Sequence, residues 1–374
     1  MSVYWNERTR QLQPYIPGEQ PRDRKYIKLN TNENHYPASP LVLEAIKKAA
    51  DEKLKLYPDP SCTELREAVA KRFGFKASQV FAGNGSDEIL AFAFAAYFEA
   101  GSGGEKHLLF PDITYSFYPV YAKLWNIPFK QIPLKEDFSI DISAYLEIIF
   151  QGKSGGIIFS NPNAPTGGAI SLEKVRKTAA ALEKNKQVLV LDEAYIAFAD
   201  ETDAQASVGT AIPLINEFPN LLIVRTLSKE ASLAGLRAGY AIGREELIEG
   251  LCRIRDCFNS YTLDRLALAG AKAAIEDVPY YEGINSRVIA TRRRVSRELE
   301  SLGFKVLPSQ ANFIFASPPE GGKSGQEIFT SLRERGILVR HFNKPRIANY
   351  LRISMGTDED MDVFLKASCE ILKI

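Results

Sequence analysis

The sequence predicts an α/β protein: a large domain with a mainly parallel sheet covered by helices, followed by a smaller α+β domain. Three observations carry this reading. From about residue 40 to 265, amphipathic stretches alternate with short, strongly apolar runs, the pattern of βα units. After about residue 266 the style changes to long helices with scattered strands. The 374 residues, 45% hydrophobic, also exceed the size at which single cores stop growing, so two domains are expected.

In chain order, residues 1–29 form an N-terminal segment, 30–265 the large domain and 266–374 the small one. Ser61 to Phe73 reads as a helix. Ser61 and Glu64 form a capping box, Leu65, Ala68, Val69 and Phe73 make an apolar stripe, and Gly74 supplies the stop. Ser171 to Glu183 reads similarly. Buried strands are expected at Val80 to Ala82, His107 to Phe110, Gly156 to Ser160, Val188 to Asp192 and Leu221 to Thr226. Their polar or Gly-rich ends hold the candidate chemistry. Helices 279–301 and 358–372 and strands Asn312 to Ala316 and Tyr350 to Met355 furnish the small domain. The Gly/Ser-rich segments 101–104 and 321–325 read as surface turns.

Lys+Arg 47 against Asp+Glu 46 gives a net charge of +1, without the long basic block that nucleic acid or an anionic membrane requires. Small molecules and protein are the expected partners. Thr291 to Arg294 is the most basic cluster and reads as a solvated helix face. The four cysteines and three histidines show no metal-ligand spacing, so no metal is expected and the thiols are expected to be reduced. The N-terminus lacks a signal-peptide apolar core, and no run approaches roughly 18 apolar residues. A soluble, cytoplasmic protein is the expectation.

Gly83-Asn84-Gly85-Ser86-Asp87-Glu88 follows a strand and opens an apolar helix, where free N–H groups and the positive dipole end favour a phosphate. An ordinary N-cap turn explains these residues alone equally well. A dinucleotide motif needs a third glycine where Glu88 stands. Asp192 closes the strand Val188 to Asp192, at the sheet edge where ligands bind. It reads equally as a helix-capping acid or as a carboxylate poised over a cleft. Leu222 to Thr226 leads into Leu227-Ser228-Lys229, with Arg237 eight residues after the lysine. One loop thus offers an amine for a carbonyl cofactor and a hydroxyl and guanidinium for phosphate.

Together with Asn161-Pro162-Asn163-Ala164-Pro165-Thr166-Gly167 and Asp192-Glu193-Ala194-Tyr195, these segments resemble the ordered signature of class I/II aminotransferases. The likeness covers nearly the whole chain. More narrowly, Pro14 to Gly18, Leu29 to Asn34, Tyr57-Pro58-Asp59, Gly336 to Arg340 and Leu351 to Gly356 resemble histidinol-phosphate aminotransferases. The resemblance implies a fold-type I, three-layer scaffold with pyridoxal 5′-phosphate (PLP) held on Lys229 as a Schiff base, and a ping-pong transamination. It makes Lys229, Asp192 and Tyr195 catalytic: Lys229 shuttles the substrate proton, Asp192 pairs with the pyridine nitrogen, and Tyr195 bonds the ring 3′-oxygen. It further implies that Tyr115 stacks on the ring and that Gly85, Ser86, Asp87, Ser228 and Arg237 cradle the phosphate. Tyr57 would reach in from a second subunit of a homodimer. Arg352 would clamp a carboxylate, while Tyr15, Asn34 and Arg340 would contact the side chain or distal phosphate of the substrate.

One departure is plain. Ala164 stands where the family commonly has Asn, so Asn161 or Asn163 must supply that amide, or Tyr195 acts alone. His35 stands where Pro is expected, and Glu230-Ala231-Ser232 is not the commonest triplet after the lysine. The expected substrates are L-histidinol phosphate and 2-oxoglutarate. Aromatic amino acids are the alternative, and a decarboxylase or lyase on the same scaffold a more distant one.

Overall fold

The structure is a computed structural model that describes residues 2–99, 105–200 and 208–373. The turn expected at 101–104 lies outside the described residues. The strands are β1 (Ile27–Lys28), β2 (Val80–Gly83), β3 (His107–Pro111), β4 (Phe129–Ile132), β5 (Ser154–Ser160), β6 (Leu189–Asp192), β7 (Leu221–Thr226), β8 (Gly239–Ile242), β9 (Lys305–Val306), β10 (Phe313–Ser317), β11 (Ile337–Leu338), β12 (Arg340–His341) and β13 (Leu351–Ser354).

A seven-stranded sheet runs in the order β2-β8-β7-β6-β5-β3-β4. Only β8 is antiparallel to its neighbours. Its central strands read as continuous apolar runs because both faces are covered. Along β6, Leu189 and Leu191 enter one core with Val175, Ala179 and Leu182 of the helix Leu172–Glu183. Val190 points the other way, joining Ile89 and Phe92 of the helix Gly85–Tyr97 and Ile248 and Leu251 of the helix Glu245–Phe258. The alternation of side chains along a strand therefore builds three layers. Each fully buried leucine contributes about 1.5–3 kcal/mol.

Register decides where the site lies. Ser160 pairs with Asp192, Asp192 with Val224, and Thr226 with Gly239, which also pairs with Gly83. All the motif-bearing ends meet at one edge. A second, antiparallel sheet, β12-β13-β10-β9, carries the small core of Val288, Val295, Leu299, Phe313, Ile353 and Phe364. The N-terminal segment joins this unit through β1, which pairs in parallel with β11. The helix Arg265–Glu276 instead buries Ala267, Ala271, Ala274 and Ile275 in the large core. Among the described residues, no helix is long and apolar enough to cross a membrane.

Several local expectations are corrected. The helix begins at Thr63, without a Ser61–Glu64 box: Cys62 is left-handed (φ 51°), and the Asp59 carboxylate accepts from Ser61 N and Thr63 N instead. The cluster 291–294 is not a solvated face. Thr291 and Arg292 are buried, and the Arg292 guanidinium donates to the Phe198 and Ala311 carbonyls. β4 and β8 escaped the sequence reading. The first is a sheet edge with exposed Lys130 and Gln131, and the second is a short run inside the Gly-rich motif after Arg237.

Candidate active site

A cavity of about 530 Å³ opens at the carboxyl edge of the large sheet and is closed over by the N-terminal segment and the small unit. Tyr15, Ser86, Asp87, Tyr115, Asp192, Tyr195, Ser228, Lys229, Arg237, Arg340 and Arg352 all line it. Residues more than 300 positions apart thus converge on one volume.

Lys229 lies in the short helix Leu227–Glu230, which Thr226 starts by accepting from Ser228 N. The helix begins where β7 stops, so strand register sets the position of the amine. Its Nζ donates to the Thr31 carbonyl at 3.1 Å. Burial, then the Arg352 charge, lower its pKa to about 8, with Glu33 and Asp87 opposing. Asp192, at the end of β6, is buried and shifted up to about 7 by desolvation, although the Tyr118 hydroxyl (3.0 Å) and Ala194 N–H stabilise its anion. Tyr195 is buried beside Phe313 and accepts from Asn32 Nδ2 at 3.0 Å. Burial raises its pKa, so the hydroxyl stays protonated at neutral pH.

At one end of the cavity, the helix Gly85–Tyr97 presents its N-terminus between Ser86 and Ser228. Arg237 Nη2 donates to Asp87 Oδ2 at 2.9 Å and Nη1 to Ser228 Oγ at 3.4 Å, while the Tyr115 hydroxyl donates to Asp87 Oδ1 at 2.7 Å. Glycine makes this crowding possible. A Cβ on Gly85 (φ 73°) would lie 2.7 Å from Arg237 Nη2, and one on Gly239 would lie 2.8 Å from the Arg225 carbonyl and 2.9 Å from Ser86 N.

At the other end, Arg340 and Arg352 are directly opposed across β12 and β13, which puts both on one sheet face. An arginine in an alternating strand usually points to water; here the partner strand turns it inward. Arg352 lies 5.4 Å from the Phe313 ring centroid and 5.7 Å from that of Phe342, and donates to the Asn30 carbonyl at 2.8 Å. Its Nε is buried and has no hydrogen-bond partner among the described residues. Tyr15 packs on Phe117 at 4.3 Å and completes this wall.

Other expected site residues stand apart from the lining. Gly85 sits behind Arg237. Asn163 is committed to Thr114, Ile113 and Thr166, and Asn161 accepts from Ile170 N while its buried Nδ2 has no partner among the described residues. Neither faces the cavity at Ala164, which lines it with a methyl group. Asn34 also departs from expectation: its amide bonds the Lys229 carbonyl and Tyr36 N, so it braces the lysine backbone rather than the cavity. Tyr57 is 78% exposed and stacks on Tyr261 at 4.5 Å. The sequence reading missed Tyr118 and Asn32, and also Lys344, which lines the cavity. Tyr118 had no signal beyond an aromatic cluster, whereas Asn32 stood in a quoted motif and has the left-handed φ (56°) that asparagine tolerates.

These residues fit a phosphorylated pyridine aldehyde. The anion end offers hydroxyls, a guanidinium and a helix N-terminus, the amine is partly neutral, and the buried Asp192 lacks a cationic neighbour that a pyridinium would supply. The aminotransferase class I and II model matches residues 24–367. A histidinol-phosphate aminotransferase of Clostridium acetobutylicum is 53% identical, with 98% of each chain covered. Another, of a Marinomonas species, is 51% identical over 96% of this chain and 97% of its own. The solved histidinol-phosphate aminotransferase of Sinorhizobium meliloti, in complex with PLP, superposes with a TM-score of 0.87 at 25% identity, covering 100% of this chain and 98% of that one. With its strand-end lysine, aspartate and anion cradle in that family's order, the chain belongs to the class I and II aminotransferases.

Proposed function

We propose that the chain is a PLP-dependent transaminase that exchanges an amino group between L-histidinol phosphate and 2-oxoglutarate, working as a cytoplasmic homodimer. The observation that carries this is the placing of the Lys229 amine between two separate cationic ends of one cavity. Relatives named for this reaction at about half identity support it further.

Bound PLP supplies an electron sink that acidifies the substrate Cα–H. Lys229 takes up and returns that proton, and its lowered pKa keeps a useful fraction of neutral amine near neutral pH. Asp192, held by Tyr118 and Ala194 N–H, would keep a pyridine nitrogen protonated. Tyr195 would donate to the ring oxygen, and Tyr115 would cover the ring face. Ser86, Ser228, Arg237 and the helix N-terminus with Gly85 would hold the phosphate, while Asp87 orients Arg237. Asn34 fixes the lysine backbone.

Histidinol phosphate carries an alcohol where an amino acid has its carboxylate. Arg352 therefore serves mainly the keto acid, while Arg340 and Tyr15 receive the distal phosphate. Tyr57 reaches a neighbouring site, a reading supported by the exposed Leu41, Leu54, Leu56 and Tyr261. The two units divide within the helix Val278–Ser301, since Tyr281 packs in the large core and Val288 in the small one. The deciding measurement compares kcat/KM for histidinol phosphate and phenylalanine with 2-oxoglutarate as acceptor. A large preference for histidinol phosphate is expected, and a preference for phenylalanine would overturn the substrate assignment.

A further inference from the structure

Ala164 brings no polar side-chain group to the cavity wall, and the nearby asparagines 161 and 163 are committed elsewhere and do not line it. Across the cavity, Asn32 is buried and held at four points. Its N–H donates to Ser354 Oγ at 2.9 Å, its carbonyl accepts from Asn312 Nδ2 at 3.1 Å, and its Oδ1 accepts from Ser354 Oγ at 2.9 Å. The fourth contact is Nδ2, which donates to Tyr195 Oη at 3.0 Å. The buried Ser354 hydroxyl occupies Oδ1, so the amide N–H₂ is the group left to face Tyr195.

A phenol has one proton. If its oxygen accepts from Asn32, its own O–H is free to point elsewhere, and Tyr195 lines the cavity. We infer that Asn32 is a positioning residue whose amide, by donating to Tyr195 Oη, turns the Tyr195 proton into the cavity, toward the acceptor oxygen of the bound ring. This rests on the proposed PLP chemistry. It assigns to the stretch just after β1 a task for which the side chain at position 164 has no polar group. A donor at Asn32 also polarises the phenol and strengthens the bond that Tyr195 gives.

The consequence is measurable without turnover. A strong donor to the ring oxygen stabilises negative charge there and makes the adjacent lysine–cofactor nitrogen a weaker base. The test is a pH titration of the visible absorbance of the cofactor-loaded protein. Asn32→Gly keeps the left-handed backbone, removes the amide and adds no charge. Asp192, Arg352 and Tyr15, the ionisable groups that act on Tyr195, remain in place. The absorbance midpoint is expected to rise by about 0.5–1 pH unit. Adding Ala164→Asn in that background restores an amide from the opposite wall and is expected to reverse at least half of the shift.

If the glycine variant does not fold, Asn32→Ala, which also removes the amide without adding charge, takes its place, and Asn32→Asp is expected to raise the midpoint as well. A folded, coloured Asn32→Gly protein with an unmoved midpoint overturns the inference, even if its cofactor-free form melts at a lower temperature, because that is the mark of a purely structural residue. A shift in Asn32→Asp alone overturns it too, since added charge then explains the effect. Wild-type protein that shows no cofactor absorbance refutes the PLP reading itself, a separate outcome.

Discussion

Both ends of the cavity are built around arginine, and they differ in what the chain sets beside it. Arg237 is answered within the chain by Asp87 and Ser228, at 2.9 and 3.4 Å. Arg352 and Arg340 form no ion pair among the described residues, and they meet aromatic rings and a carbonyl instead. Desolvation accordingly lowers the Arg352 pKa, with the neighbouring Arg340 charge adding to it. An end whose charge is already balanced is set before any ligand arrives and suits a resident group. An end with two guanidiniums that lack a counter-charge recovers the desolvation cost of Arg352 when an anion enters, which suits reactants that come and go.

The largest expected effect lies at the junction of the two ends. Lys229→Ala is expected to lower kcat by at least about 10⁴-fold and to abolish the visible absorbance, because the proposed chemistry uses this amine both to bind the cofactor and to move the proton. Retained turnover in single-turnover assays would dissolve the comparison altogether. Next, Arg352→Gln should reduce kcat/KM for 2-oxoglutarate by about 10²-fold but for histidinol phosphate by less than about tenfold. Equal losses for both would mean that the far end does not sort carboxylate from alcohol. At the balanced end, Arg237→Gln is expected to weaken PLP binding by about 10- to 10²-fold in equilibrium dialysis, with little change in KM at saturating cofactor. A KM effect without a binding effect would reverse the roles of the two ends.

A smaller effect follows from pH. The neutral form of Lys229 captures the aldehyde, and its pKa is lowered to about 8. The neutral fraction grows as pH rises, so capture of PLP by cofactor-free protein should fall about tenfold per unit below that value and level off above it. A flat profile from pH 6 to 8 would remove the lowered amine from the account. Last, Gly239→Ala sets a methyl 2.9 Å from Gly85 C and Ser86 N. A loss of about 1–3 kcal/mol in denaturant unfolding, with weakened phosphate binding, is expected from that overpacking. An unchanged midpoint would show that the anion end is looser than its packing implies.

Much of this was legible beforehand, for identifiable reasons. β7 was found residue for residue because a strand buried on both faces reads as an unbroken apolar run. β4 was missed because an exposed edge carries Lys130 and Gln131 and loses that signal. Lys229, Asp192 and Arg237 were legible because Asp192 ends β6, Lys229 follows β7 and Arg237 lies in the same local motif as the lysine. Tyr118, Asn32 and the inward turn of Arg352 were not, since their partners lie 74, 163 and 322 residues away in the chain.

The sequence by itself determined the three-layer α/β plan, the strand ends that carry the chemistry and the family, because these depend on local periodicity and on short-range motifs. Only the tertiary structure decided which arginine is balanced, which asparagine faces the cavity and which merely braces a backbone. Those outcomes depend on register between strands and on burial between distant segments, which set each group's partners and hence its charge, its proton and its direction.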